Sequence, residues 1–140
     1  MKDITKAKTI LESGYTCVLV KGKMSFTSKR NGIVPMVKFL NDEIDLEGFS
    51  VADKIVGKAV AMLFVLAEVK EMYAEVLSKT AISVLEANGI AYSYKILTDN
   101  IINRQGTGLC PMEETVKDIF DCKQAYEKIK VKLASLNIGF

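Results

Sequence analysis

Apolar residues recur along the chain at two spacings, and the switches between them mark the elements. Ile4, Ala7, Ile10 and Leu11 fall on one helical stripe over residues 3–13, with Asp3 placed to cap it and Gly14 to stop it. Residues 15–21 (YTCVLVK) and 24–28 read as the strands of a tight hairpin around Gly22. A short helix with proline in its first turn follows at 35–41. Residues 50–67 read as the main central helix. Ser50-Val51-Ala52-Asp53 fits a capping box there, and from Ala59 onward the segment is apolar on nearly every side, so it must be covered all round. Residues 69–76 and 91–97 read as strands, separated by a helix over 78–88 with Ser78 at its N-cap and Gly89 beyond its end. Pro111 opens a helix to about Phe120, and Asp121 caps a last one bearing Ala125, Ile129, Leu133 and Leu136. The order α-β-β-α-α-β-α-β-α-α, a hairpin followed by two β-α crossovers, predicts an α/β fold with a mixed sheet and helices on both faces.

Composition narrows the function classes. The chain has 140 residues, 49% hydrophobic and 26% charged, in keeping with one ordinary globular domain. Its 19 basic and 17 acidic residues leave a net charge of +2, which gives no electrostatic reason to expect nucleic acid or an anionic membrane. The basic run KIKVKL reads as the solvated face of a helix. Cys17, Cys110 and Cys122 show no paired spacing, and Met1 is followed by Lys2 and Asp3 rather than a signal-like stretch, so a reduced cytoplasm is the expected compartment. The most apolar run, residues 59–67, is far short of the ~20 residues that cross a bilayer.

There is no histidine. That excludes serine–histidine and cysteine–histidine catalysis and imidazole zinc sites. What chemistry remains is densest in residues 100–114 (NIINRQGTGLCPMEE). Cys110 falls at the N-cap of the Pro111 helix, where backbone N–H groups favour a thiolate, although Glu113 and Glu114 oppose it. Glu113, three residues on, also fits a local capping arrangement. Arg104 is suited to gripping a carboxylate or phosphate, and Gly106 and Gly108 to turning backbone amides toward one. Asn100 and Asn103 equally suit side-chain-to-backbone turns. In the central segment, Lys54 and Lys58 stand one helical turn apart with Gly57 between them, where another group can come close. Asp53 is explained by capping alone, and so is Ser78.

The element order, with DKIVGKAVAMLF (53–64) and NRQGTGLCPMEE (103–114), resembles a small uncharacterised bacterial family within the cytidine-deaminase-like superfamily, known only as a domain of unknown function. The likeness runs from YTCVLVKG into the last helices. It implies a three-layer α/β/α sandwich, a pocket at one end of the sheet between helix N-termini, and a homodimer, since related folds commonly associate. Zinc deaminases carry H-x-E or C-x-E at the start of the central helix and P-C-x-x-C at a later helix start. At the first place this chain has Asp53, Lys54 and Lys58; at the second, Leu77, Ser78 and Ala81; and CPMEE holds a single thiol. Catalytic zinc needs three protein ligands, so no metal and no cofactor is expected.

The combined expectation is a metal-free domain that binds a small anionic or nucleotide-like metabolite in a pocket lined by Ser50, Asp53, Lys54, Lys58, Ser78, Asn103, Arg104, Cys110 and Glu113. Any catalysis would use Cys110 as nucleophile, Glu113 or Asp53 as proton shuttle, and Lys58 with Arg104 as charge stabilisers. The alternative is a non-catalytic scaffold or regulatory module that acts through oligomerisation or a protein partner.

Overall fold

A computed structural model describes residues 1–140. Along the chain it shows α1 (Asp3–Glu12), β1 (Cys17–Lys21), β2 (Met24–Ser28), α2 (Val34–Asn41), β3 (Ser50–Val56), α3 (Lys58–Leu66), β4 (Glu71–Ser78), α4 (Lys79–Ala87), β5 (Ala91–Thr98), α5 (Pro111–Val116) and α6 (Cys122–Ser135). The strands form one sheet in the order β2-β1-β3-β4-β5. β1 is antiparallel to both β2 and β3, while β3, β4 and β5 run parallel. The expected mixed sheet and three α/β/α layers are both present.

The layers are unequal. Only α1 packs on one face, where Ala7 and Leu11 bury against Val18, Val20, Ala52 and Tyr73. The crossovers β3-α3-β4 and β4-α4-β5 proceed in one direction across the sheet, and right-handed connections then place α3 and α4 together on the other face. There α3 lies at the centre of a large apolar core, against α2, α4, α5 and α6. Its residues Ala59 to Phe64 are all buried, as the all-round apolar pattern requires. No helix is long and apolar enough to cross a membrane.

The main departure from expectation lies at residues 50–56. They form a strand, β3, and the helix starts only at Lys58, after Gly57. β3 is flanked by β1 and β4 and buried on both faces, so it has no polar–apolar alternation and its pattern matches a buried helix. Ser50 and Asp53 therefore cap nothing. At the first helix Lys2 is the N-cap and Asp3 the first helical residue; the Asp3 carboxylate accepts from the Gly22 amide and ties α1 to the hairpin turn. The Pro111 helix stops at Val116, short of Phe120. Ser78 and Asp121 do cap α4 and α6, accepting from the amides of Ala81 and Lys123.

Candidate functional site

At the end of the sheet where β3 finishes and β1 begins, the chain encloses a cavity of about 600 Å³, within the usual range for small-molecule sites. Its walls are the end of β3 and the start of α3 (Asp53 to Val60), the start of α2 (Gly32 to Val34), the 101–113 loop, and Leu133, Leu136 and Ile138 at the C-terminal side. The Arg30 guanidinium donates to the Gly139 carbonyl at 2.6 Å and holds that last wall in place. Most of the lining is apolar, with polar groups at a few places.

The 101–110 loop is a small hairpin. Ile102 bridges Leu109, the Asn103 amide donates to the Gly108 carbonyl at 2.9 Å, and the Cys110 amide donates to the Ile101 carbonyl at 3.0 Å. The Asn103 side chain is spent within this turn, since its Oδ1 accepts from the Thr107 amide and its Nδ2 donates to Thr107 Oγ1. Arg104 is exposed at the cavity rim, and its guanidinium makes no ion pair or hydrogen bond within the chain. Cys110 lies in the wall at the N-cap of α5, with no cap bond from its side chain.

Glu113 does not cap its own helix. Its carboxylate reaches α3, accepting from the Lys58 amide through Oε1 and from the Ala59 amide through Oε2, each at 2.8 Å. The contact is close because residue 57 is glycine. A Cβ there would meet Glu113 Oε1, lie 2.6 Å from Glu113 Cδ and lie 2.8 Å from Ile101 Cγ1. Burial raises the Glu113 pKa, opposed by the two amides and by the Lys58 charge. The positive end of α3, the place expected to face a ligand anion, is therefore already filled from inside the protein.

Asp53 occupies the opposite situation. It is 4% exposed and lines the cavity; its Oδ1 accepts from its own neighbour's amide, Lys54, at 2.8 Å, and Oδ2 has no hydrogen-bond partner. Cys17 stands directly across from it on the β1/β3 ladder. Burial lifts the Asp53 pKa from an ordinary 3.8 to about 8; the Lys54 amide, the Cys17 thiol and the Ile55 amide pull it down, the last two without completing a hydrogen bond to Oδ2. Burial and the Asp53 charge together push the Cys17 thiol up.

Of the nine expected residues, the cavity gathers Asp53, Lys54, Asn103, Arg104, Cys110 and Glu113. It leaves out three. Ser50 lies at the far end of β3, ~10 Å from Asp53 at strand spacing, and donates to Glu71. Ser78 is absorbed in capping α4. The Lys58 ammonium turns away, donating to the Lys117 carbonyl at 3.0 Å and lying 5.2 Å from the centre of the Phe120 ring. Lys54 borders the cavity, but its ammonium pairs with Glu75 at 2.9 Å. Sequence reasoning missed Cys17 and the C-terminal wall. Asp53 was among the expected residues, but as a helix cap or proton shuttle rather than as a carboxyl buried in a central strand.

Residues 5–133 match the model of a family described as TM1506, a domain of unknown function (DUF1893). The chain belongs to the DUF1893 family. It is also similar to the crystal structure of a DUF1893 family protein from Thermotoga maritima, with 28% identity and a TM-score of 0.85 over 94% of this chain and 91% of that one. A dCMP deaminase from the cyanophage S-TIM5 overlaps 66% of this chain and 93% of its own at 12% identity and a TM-score of 0.41, too low to carry an argument. No curated protein matches the chain.

Proposed function

We propose that this DUF1893 chain is a small-molecule-binding domain whose cavity takes a nucleotide-sized ligand with an apolar body and an anionic end. The observation that carries this reading is the cavity itself, about 600 Å³ and lined mostly by apolar side chains, with the unpaired Arg104 guanidinium at its rim. Arg104 at the rim supplies the charge for the anionic end.

Binding is better supported than a named reaction. Glu113 and Lys58, expected as proton shuttle and charge stabiliser, are tied up in joining α5 to α3. Of the expected reacting groups, Cys110 and Arg104 keep an unengaged side chain at the cavity.

A thermal-shift screen of nucleoside monophosphates and sugar phosphates tests the proposal, because a ligand at a hundred times its Kd adds about 2.7 kcal/mol of stability. The shift is expected to shrink in Arg104→Ala, with the unliganded melting temperature unchanged. No shift in the wild type, or equal shifts in the variant, would sink it.

The scaffold alternative has one observation in its favour. β5 is an edge strand open along its length, with Tyr94, Ile96 and Leu97 exposed. A homodimer paired through this edge is the form that reading takes, and sedimentation velocity of the wild type against Ile96→Lys distinguishes it from a monomer.

A further inference from the structure

Resting on that reading of the cavity, we infer that the body of the ligand is hydrocarbon. The cavity takes a free single-chain amphiphile with an oxyanion end, such as an alkyl phosphate, in preference to a nucleotide. The chain lies among the apolar side chains inside, and the anion meets Arg104 at the rim.

The inference follows from where the polar side chains of the wall are spent. Thr16 donates its hydroxyl to the Ser28 and Arg30 carbonyls. Lys54 pairs with Glu75, and Glu113 accepts from the Lys58 and Ala59 amides. Asn103 is used up inside its own turn. Asp53 gives Oδ1 to the Lys54 amide, and its Oδ2 is closed off from solvent. Cys110 keeps its thiol free, but a thiol is a weak donor and a weak acceptor. Asn31 and Gln105, like Arg104, are exposed at the rim.

Between these groups the surface is made by Ile33, Val60, Ile101, Met112, Leu133 and Ile138, drawn from six separate parts of the chain. A nucleobase or sugar carried among them gives up its hydrogen bonds to water and finds no side-chain partners in exchange. Each such loss costs roughly tenfold in affinity. A methylene gives up nothing, and each one that leaves water gains roughly threefold to fourfold. The charge at the rim fits the same ligand. Of the cations around the cavity, Arg30 is held by the Gly139 carbonyl, Lys54 by Glu75 and Lys58 by the Lys117 carbonyl. Arg104 is left to meet an oxyanion, whose geometry its forked donors match.

Titration calorimetry on the full chain tests this with butyl, hexyl and octyl phosphate below their micelle concentrations, with AMP, and with octyl glucoside. Affinity is expected to climb roughly threefold per methylene along the phosphate series, with hexyl phosphate roughly tenfold tighter than AMP. Arg104→Ala should weaken the three alkyl phosphates by one common factor and leave the climb unchanged. Ile138→Asp alters a wall residue that is already 38% exposed, so the fold tolerates it, and should flatten the climb. AMP binding as tightly as hexyl phosphate, or AMP bound with equal affinities along the series, overturns the hydrocarbon body while leaving the cavity as a binding site. A full climb retained in Ile138→Asp puts the chain outside the cavity and overturns the inference as well. Octyl glucoside binding as tightly as octyl phosphate removes the anionic end and overturns both readings. Binding of no phosphate, AMP included, also overturns both.

Discussion

Two neighbouring junctions of this sheet are solved in different ways. β3 and β4 run parallel with Val56 beside Leu77, and each passes directly into a helix. At the second junction Ser78 caps α4 with its own hydroxyl, which accepts from the Ala81 amide at 3.1 Å, and nothing is left open. At the first, Gly57 has no side chain to offer, and the cap comes from Glu113, fifty-five residues beyond Lys58. The cavity opens beside the first junction and does not involve Ser78. Where local residues satisfy the backbone, the structure closes on itself. Where a distant residue must do so, a third element is brought in, and the space between the elements becomes a site.

The largest test of this contrast uses Asp53, whose register partner on β4 is Ala74. The folded Asp53 pKa of about 8 lies above its ordinary 3.8, so between those values the folded chain holds a proton that the unfolded chain has lost. The stabilisation is complete below pH 4, declines as pH rises toward 8, and is lost above it. Asp53→Asn removes this slope. Urea unfolding at pH 5, 7 and 9 should show the variant gaining on the wild type by several kcal/mol across that range. A constant difference at the three pH values contradicts the burial of an uncompensated carboxyl.

Next in size is the Glu113 clamp. Glu113→Ala leaves the Lys58 and Ala59 amides without partners and should cost ~3 kcal/mol. Gly57→Ala drives a methyl group into the pinned carboxyl and into Ile101, at a cost of the same order. Because both act on one contact, the double variant should be clearly more stable than the sum of the single losses predicts. Simple additivity in a denaturation cycle would show that the clamp is not what makes glycine necessary at position 57.

The smallest effect belongs to the closed junction. Ser78→Ala should cost ~1 kcal/mol, the ordinary worth of an N-cap, without altering ligand binding. A loss of binding in that variant would mean that the α4 junction belongs to the site after all.

The same contrast explains what could be read from the sequence. Ser78, Asp121 and the Gly22 hairpin were legible because each signal acts on residues within a few positions. β3 was not, since a central strand buried at most positions on both faces shows no polar–apolar alternation, and Ser50 with Asp53 imitates a capping box. Placing both motif segments around one pocket agreed with their meeting in space, yet the roles within them shifted. Glu113 seemed to cap its own helix and caps another; Lys54 and Lys58 seemed poised for an anion and are held by Glu75 and the Lys117 carbonyl. Side-chain direction in a site assembled across fifty-five residues is decided by packing, which sequence spacing does not record.

The first amides of a helix ordinarily exchange with solvent deuterium almost as fast as in an unstructured peptide, having no carbonyl four residues back to protect them. Those of Lys58 and Ala59 are instead shielded by a carboxylate carried on α5. Their exchange rates therefore measure how often α5 lifts from the body of the protein, and with it how often the cavity loses one wall.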